Sequence, residues 1–179
     1  RVTGDLQIDL VALRKLPVVL REGDYRVTAT IVDSTIIDIE PGDVAGRCFG
    51  IAFDIGTTTV VGTLVDMVNG TDRAVASAVN PQTSFGDDVV SRIKKCRDDD
   101  DGLDILQCAI LDTVNGIIAD VAQEAGIRTD SICEAVFAGN TTMQQILCGI
   151  DPVSLGEIPF APVFREGLQT TASSLGLMI

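Results

Sequence analysis

The hydrophobic pattern changes character near residue 50. From there "GIAFD" is a short apolar run of strand length and "TVVGTLVDM" a second, and Asn69-Gly70 supplies the turn that returns "RAVASAVN" as a third strand. "FGDDVVSRIKKC" then takes a helical period, with Val89, Ile93 and Cys96 on one stripe. A longer helix follows, in which Leu106, Ile110, Val114, Ile117 and Val121 recur at helical spacing. Asp104 with Gln107 predicts a capping box at its start, and Gly126 stands where a helix-ending glycine belongs. "SICEAVFAG" reads as a fourth strand and "NTTMQQILCG" as a short helix opened by Asn or Thr. Three strands in a meander, then helix, helix, strand and helix, make an α/β layered domain with a mixed sheet.

Residues 1 to about 46 follow a different plan. A helix-like piece, "DLVALRKLPVVL", precedes two strand-like runs, "RVTATIV" and "TIIDIE", and "EPGD" at 40–43 marks a turn. This zone is too small to bury much core. The last stretch, "LGEIPFAPVFREGLQTTASSLGLMI", is interrupted by Pro and Gly and reads as a connection to something beyond. A start at Arg1 without Met suggests an excised piece.

Composition narrows the possibilities. With 46% hydrophobic residues but only 4% aromatic and no Trp, the core is aliphatic. The formal charge of −13 argues against nucleic acid and anionic membranes, which both need a basic face. No apolar run reaches the ~18–20 residues of a membrane helix, so no bilayer span is expected, and no signal peptide opens the chain. The run Asp98 to Asp101 reads as a solvated loop rather than a metal site. Five Cys lack C-x-x-C or iron–sulfur spacing, so buried, reduced thiols in a cytoplasm are expected. The absence of His removes a Ser-His-Asp triad and a His-bound zinc from this chain.

The candidate chemistry lies in "GIAFDIGTTTVVGTLVD", residues 50–66. A strand ends in Asp54, and Gly56, Thr57, Thr58 and Thr59 follow before a second strand begins. Such a bend gathers amides and hydroxyls into a concave donor array that suits phosphate oxygens. Asp54 repels phosphate directly, so its natural partner is Mg²⁺, held directly or through water. A Thr-rich β-turn capped by an Asp has the same sequence and stays open on these residues alone. A P-loop or a dinucleotide-binding turn would lead into a helix, whereas here a strand follows.

"FDIGTTTVVGTLVD" resembles the first phosphate motif of the actin-like ATPase superfamily. Taken with "LRKLPVVLRE", "EPGD", "NPQTSFGDDVVSRI" and "GNTTMQQIL", in that order along the chain, it resembles the reductive activators of corrinoid-dependent enzymes. The resemblance implies an actin-like (ribonuclease H-like) mixed-sheet subdomain preceded by a small α+β middle domain. On it, residues 1–46 belong to the middle domain and 47–179 form the first, incomplete half of an actin-like ATPase domain. It further implies ATP and Mg²⁺ as ligands, and a [2Fe–2S] cluster in an N-terminal ferredoxin domain outside this chain. The implied activity is ATP-driven return of Co(II) to Co(I) in a corrinoid protein or cobalamin-dependent methyltransferase, by a cytoplasmic protein that can form a homodimer. A small-molecule kinase of the same superfamily and a non-enzymatic nucleotide-binding assembly module are the alternatives.

Carried onto this sequence, the resemblance makes Asp54 the magnesium-associated acid and Gly56, Thr57, Thr58 and Thr59 the phosphate loop. Gly139, Asn140 and Thr141 follow the fourth strand at a helix start and become further nucleotide contacts, with an N-cap as the plainer duty of Asn140 or Thr141. Asn80, Gln82 and Asp87 face either the cleft or a partner, or serve as turn and cap residues; Asp88 reads as a cap. No catalytic residue is assigned. The sequence departs from the family just after "GNTTM", where Gln144 and Gln145 replace a customary His pair. By this reading residues 1–179 alone neither turn over ATP usefully nor transfer electrons.

Overall fold

Alternation along the strands decides which face of each sheet is buried. A computed structural model describes residues 5–179, so the first four residues of the zone read as 1–46 lie outside the described residues. The chain divides into two units between Cys48 and Phe49.

In the first unit Asp9 caps helix α1 (Leu10–Glu22), its Oδ1 accepting the Val11 amide at 2.7 Å. The helix continues through Pro17, whose ring removes one amide donor. Strands β1 (Gln7–Ile8), β2 (Val27–Val32) and β3 (Thr35–Pro41) form a sheet in the order β1-β3-β2, with β1 parallel and β2 antiparallel to β3. Ala12 and Val19 of α1 and Ile39 of β3 are its buried apolar residues, with Ile8, Leu16 and Ile36 packed around them. The core is small, as the sequence predicts for so short a zone.

The second unit carries strands β4 (Phe49–Ile55), β5 (Thr59–Asp66), β6 (Thr71–Val79) and β7 (Ile132–Gly139) in the order β6-β5-β4-β7. The meander β4–β5–β6 is antiparallel, and β7 joins β4 in parallel. Helices α2 (Val89–Asp98), α3 (Gly102–Ala125), α4 (Thr141–Leu147) and α5 (Ala172–Leu175) complete the unit. In β4 the residues Phe49, Ile51, Phe53 and Ile55 point into the core, and Ala52 and Asp54 to the opposite, exposed face. That core is closed by Ile110, Val114, Ile117 and Val121 of α3. All five residues of the expected α3 stripe are buried, and Gly126 takes the left-handed φ of 65° that ends the helix.

Several expectations need correcting. The predicted capping box does not form: α3 begins at Gly102, two residues earlier, and Gln107 donates to the Leu147 carbonyl at 3.2 Å instead. Asp99 starts this turn, its backbone carbonyl accepting from Gly102 and its carboxylate held by Lys95. By length and composition α3 could cross a membrane, with a mean hydropathy of 1.5. It is instead the core helix of this sheet, with Asp104, Asp112 and Asp120 spaced along its exposed side. The thiols are not fully buried, since Cys108 is exposed and Cys48, Cys96, Cys133 and Cys148 are half-buried. The final stretch returns to the core: Leu177 is buried, and Asn115 of α3 pairs with Gly176 and Met178 through bonds of 3.0 Å.

Candidate functional site

The loop between β4 and β5 is a tight reversal. Ile55 pairs with Val60 across it, and the Gly56 amide donates to the Thr59 carbonyl at 3.0 Å. A Cβ on residue 56 would lie 2.5 Å from that same carbonyl oxygen, so only glycine fits. What gives the loop its chemistry is where its carbonyls go. Asn80 Nδ2 donates to Gly56 O at 2.8 Å, Arg92 donates to Thr57 O through a short bond, and the Asn80 amide donates to Thr58 O at 2.8 Å. In a trans peptide the N–H points opposite to the C=O. Tying the Gly56 and Thr57 carbonyls inward therefore turns the amides of Thr57 and Thr58 outward, and neither amide has a hydrogen-bond partner among the described residues. The hydroxyls of Thr57, Thr58 and Thr59 are likewise uncommitted there, and Thr58 and Thr59 are exposed. Successive outward amides beside hydroxyls make an anion-binding concavity.

The residues that tie the loop down form one buried network. Asn80, Gln82 and Arg92 each have 0% of their surface exposed. Asn80 Oδ1 accepts the Gln82 amide at 3.0 Å, Gln82 Nε2 donates to Leu106 O at 2.8 Å, and Arg92 Nη1 donates to Gln82 Oε1 at 3.0 Å. Arg92 also reaches Met143 Sδ at 2.8 Å, joining the loop to α4. Burial disfavours the guanidinium charge and pulls its pKa down, while Asp88 and Asp87 act in the opposite sense. Arg92 is absent from the sequence reading because "RIKKCR" looks like an exposed basic helix. The signal was there: residues 89, 92, 93 and 96 follow the i, i+3, i+4, i+7 rule, which places Arg92 on the inner stripe.

Asp54 lies two residues before Gly56, on the open face of the sheet. It is exposed, because strand alternation sends Phe53 and Ile55 inward and Asp54 outward. Val61 of β5 and Ala138 of β7 flank it in the registers of its two neighbours. The parallel pair β4–β7 sets Gly139 opposite Ile55, so the Thr loop and the Gly139–Asn140 turn leave the same edge of the sheet. Open α/β sheets offer their ligand crevices at this end of their parallel strands. Asn140 is exposed and spends its side chain capping α4, Oδ1 accepting the Met143 amide at 3.0 Å, and Thr141 opens that helix. Asn140 and Thr141 also line an open, mostly apolar cleft of about 490 Å³ with Val89, Ile93, Leu155 and Phe160, in which residues 54–59 take no part.

Asn80 and Gln82 point into the protein and hold the loop from behind, so neither faces a cleft or a partner directly. Asp87 is exposed. Asp88 caps α2, and the Ser91 amide that it accepts at 2.7 Å lowers its carboxyl pKa. Gln144 donates to Gly139 O at 3.0 Å. Gln145 is fully buried and holds the final stretch, donating to Asp151 O at 3.0 Å and accepting the Val163 amide at 3.2 Å. The two glutamines are thus structural here. As a donor set the loop suits a phosphate chain and Asp54 suits a hydrated Mg²⁺, which fits the implied ligands.

This mixed sheet, with its strand–turn–strand loop and helices on one face, is of the actin-like α/β class. Residues 49–179 match the family model described as the RACo middle region, and residues 1–46 that of the RACo linker region. The chain belongs to the RACo family of reductive activators. Among its relatives, the corrinoid activation enzyme RamQ of Eubacterium limosum is 38% identical over 148 residues, 82% of this chain and 25% of that protein. A solved structure of a "Reductive activator for corrinoid, iron-sulfur protein" superposes with a TM-score of 0.86 at 36% identity, covering 97% of this chain and 28% of that one. The chain spans about a quarter of the length of these relatives.

Proposed function

We propose that this chain contributes the first phosphate-binding half of an Mg·ATP cleft to an ATP-dependent reductive activator of corrinoid proteins. The observation that carries the reading is the loop of residues 56–58, whose carbonyls are held inward by Asn80 and Arg92 while the amides of Thr57 and Thr58 face out. Those amides and the threonine hydroxyls would take β- or γ-phosphate oxygens, and Asp54 would hold Mg²⁺, directly or through water. In this role residues 47–179 act as the first subdomain of an actin-like ATPase domain, and the nucleotide closes against a second half outside the chain. Bound Mg·ATP would neutralise charge between the halves and favour their closed state, which is how its binding energy can drive a change of conformation. The relatives are named for corrinoid activation and for reductive activation of a corrinoid, iron–sulfur protein, which supports a corrinoid protein as the partner. The substrate in this proposal is the Co(II) corrinoid of a protein in a methyl-transfer system. An iron–sulfur cluster elsewhere in the full-length protein would deliver the electron. The test mixes the full-length protein, an electron donor and a Co(II) corrinoid protein, and follows the paramagnetic cobalt signal. Loss of that signal only when Mg·ATP is present supports the reading, and equal loss without ATP overturns the coupling.

A further inference from the structure

We propose that Arg92 is the positioning residue of the phosphate loop and the source of positive charge beneath it. This rests on the reading of residues 54–59 as a phosphate site and adds a residue, directly beneath the loop, that sets its strength. A fully buried arginine is costly unless a carboxylate neutralises it, and an apolar side chain of similar volume would pack there more cheaply. Yet Arg92 forms no ion pair among the described residues: its bonds run to Gln82 Oε1, Met143 Sδ, Thr57 O and, at 3.5 Å, Gly86 O, all uncharged. Its Nε is buried with no partner. Asp87 and Asp88 act on it only at longer range and are exposed. A guanidinium desolvated by the fold and left without a counter-ion keeps its charge for whatever anion arrives.

The geometry says where that charge is felt. Arg92 holds the carbonyl of Thr57, and the N–H of the same peptide belongs to Thr58 and points the other way. The guanidinium thus fixes this peptide plane and polarises it, which strengthens the Thr58 amide as a donor. Gln82 keeps the fork in place from one side and Met143 meets it from another. An anion in the concavity of Thr57 and Thr58 would be the missing counter-charge, reached through one peptide group.

The test uses the full-length protein with Arg92→Met, which fills the space without charge, and Arg92→Gln, which keeps a donor for Thr57 O without charge. Calorimetry measures Mg·ATP and, separately, adenosine, and thermal melting reports the fold. Both variants are expected to bind Mg·ATP about tenfold to a hundredfold more weakly, the range of a charge-assisted contact, with adenosine affinity unchanged. A purely structural role would weaken both ligands together or neither. Should Arg92→Met fail to fold, Arg92→Gln decides alone. A folded variant that binds Mg·ATP as the wild type does, or that loses ATP and adenosine in equal proportion, overturns the proposal. Wild-type protein that binds no Mg·ATP would instead overturn the phosphate-site reading beneath it.

Discussion

Replacing Asn80 by Ala should damage the loop more than its fold position suggests. Asn80 is fully buried, and its side chain satisfies two backbone groups at once: the partly buried Gly56 carbonyl at 2.8 Å and the buried Gln82 amide at 3.0 Å. Alanine leaves both unpaired, and each such group costs about 1–3 kcal/mol. Relaxation of the Pro81–Phe85 turn and entry of water would recover part of this, so a loss of about 2–4 kcal/mol is expected. The control is Asn140→Ala, which removes an exposed helix cap from α4 and should cost about 1 kcal/mol. Hydrogen exchange at the β4 and β5 amides reads the stability of this sheet by itself. In the full-length protein Asn80→Ala should also bind Mg·ATP roughly tenfold more weakly, because the Gly56–Thr57 peptide is no longer held. A stability loss no greater than that of Asn140→Ala, with unchanged Mg·ATP affinity, would refute the claim that the network holds the loop.

Gly56→Ala places a Cβ 2.5 Å from Thr59 O and should abolish Mg·ATP binding, whereas Gly116→Ala, with nothing within 4 Å of its Cβ, should leave binding intact and slightly raise the melting temperature. Thiol reactivity should follow burial. Cys108 is exposed, while burial, aided by Asp151, raises the Cys96 pKa to about 11. Because the thiolate is the reactive form, iodoacetamide at pH 8 should label Cys108 well before Cys96, with Cys96 catching up only as the pH approaches its raised pKa. Peptide mass spectrometry that finds Cys96 labelled first would contradict this packing.

Much of the second unit was legible because its signals are local. The β4–β5–β6 meander follows from apolar runs separated by Gly56 and by Asn69-Gly70, and α3 from a five-residue apolar stripe. What escaped depends on contacts between segments distant in sequence. Gln82 and Arg92 look polar and solvated until the fold sets them 3.0 Å apart under a loop some thirty residues earlier. Asp66 is a local case of the same kind, a carboxylate 6% exposed that holds the β5–β6 turn through Val68 and Asn69 two and three residues on. The α3 start was misplaced because a motif of two residues competed with a turn already built around Asp99. The exposure of Asp54, by contrast, follows from strand alternation and needed only the right choice of inward face.

In the proposed role Asp54 and the loop of Thr57 and Thr58 form half of an Mg·ATP site. Calorimetric titration of the full-length protein with Mg·ATP, beside Asp54→Ala, tests it most directly. Asp54 is exposed on an open sheet face, so its loss should leave the melting temperature nearly unchanged. ATP binding should depend on Mg²⁺ and weaken at least about tenfold in the variant, in line with losing a charged metal contact. Equal affinity of wild type and Asp54→Ala for Mg·ATP would contradict it.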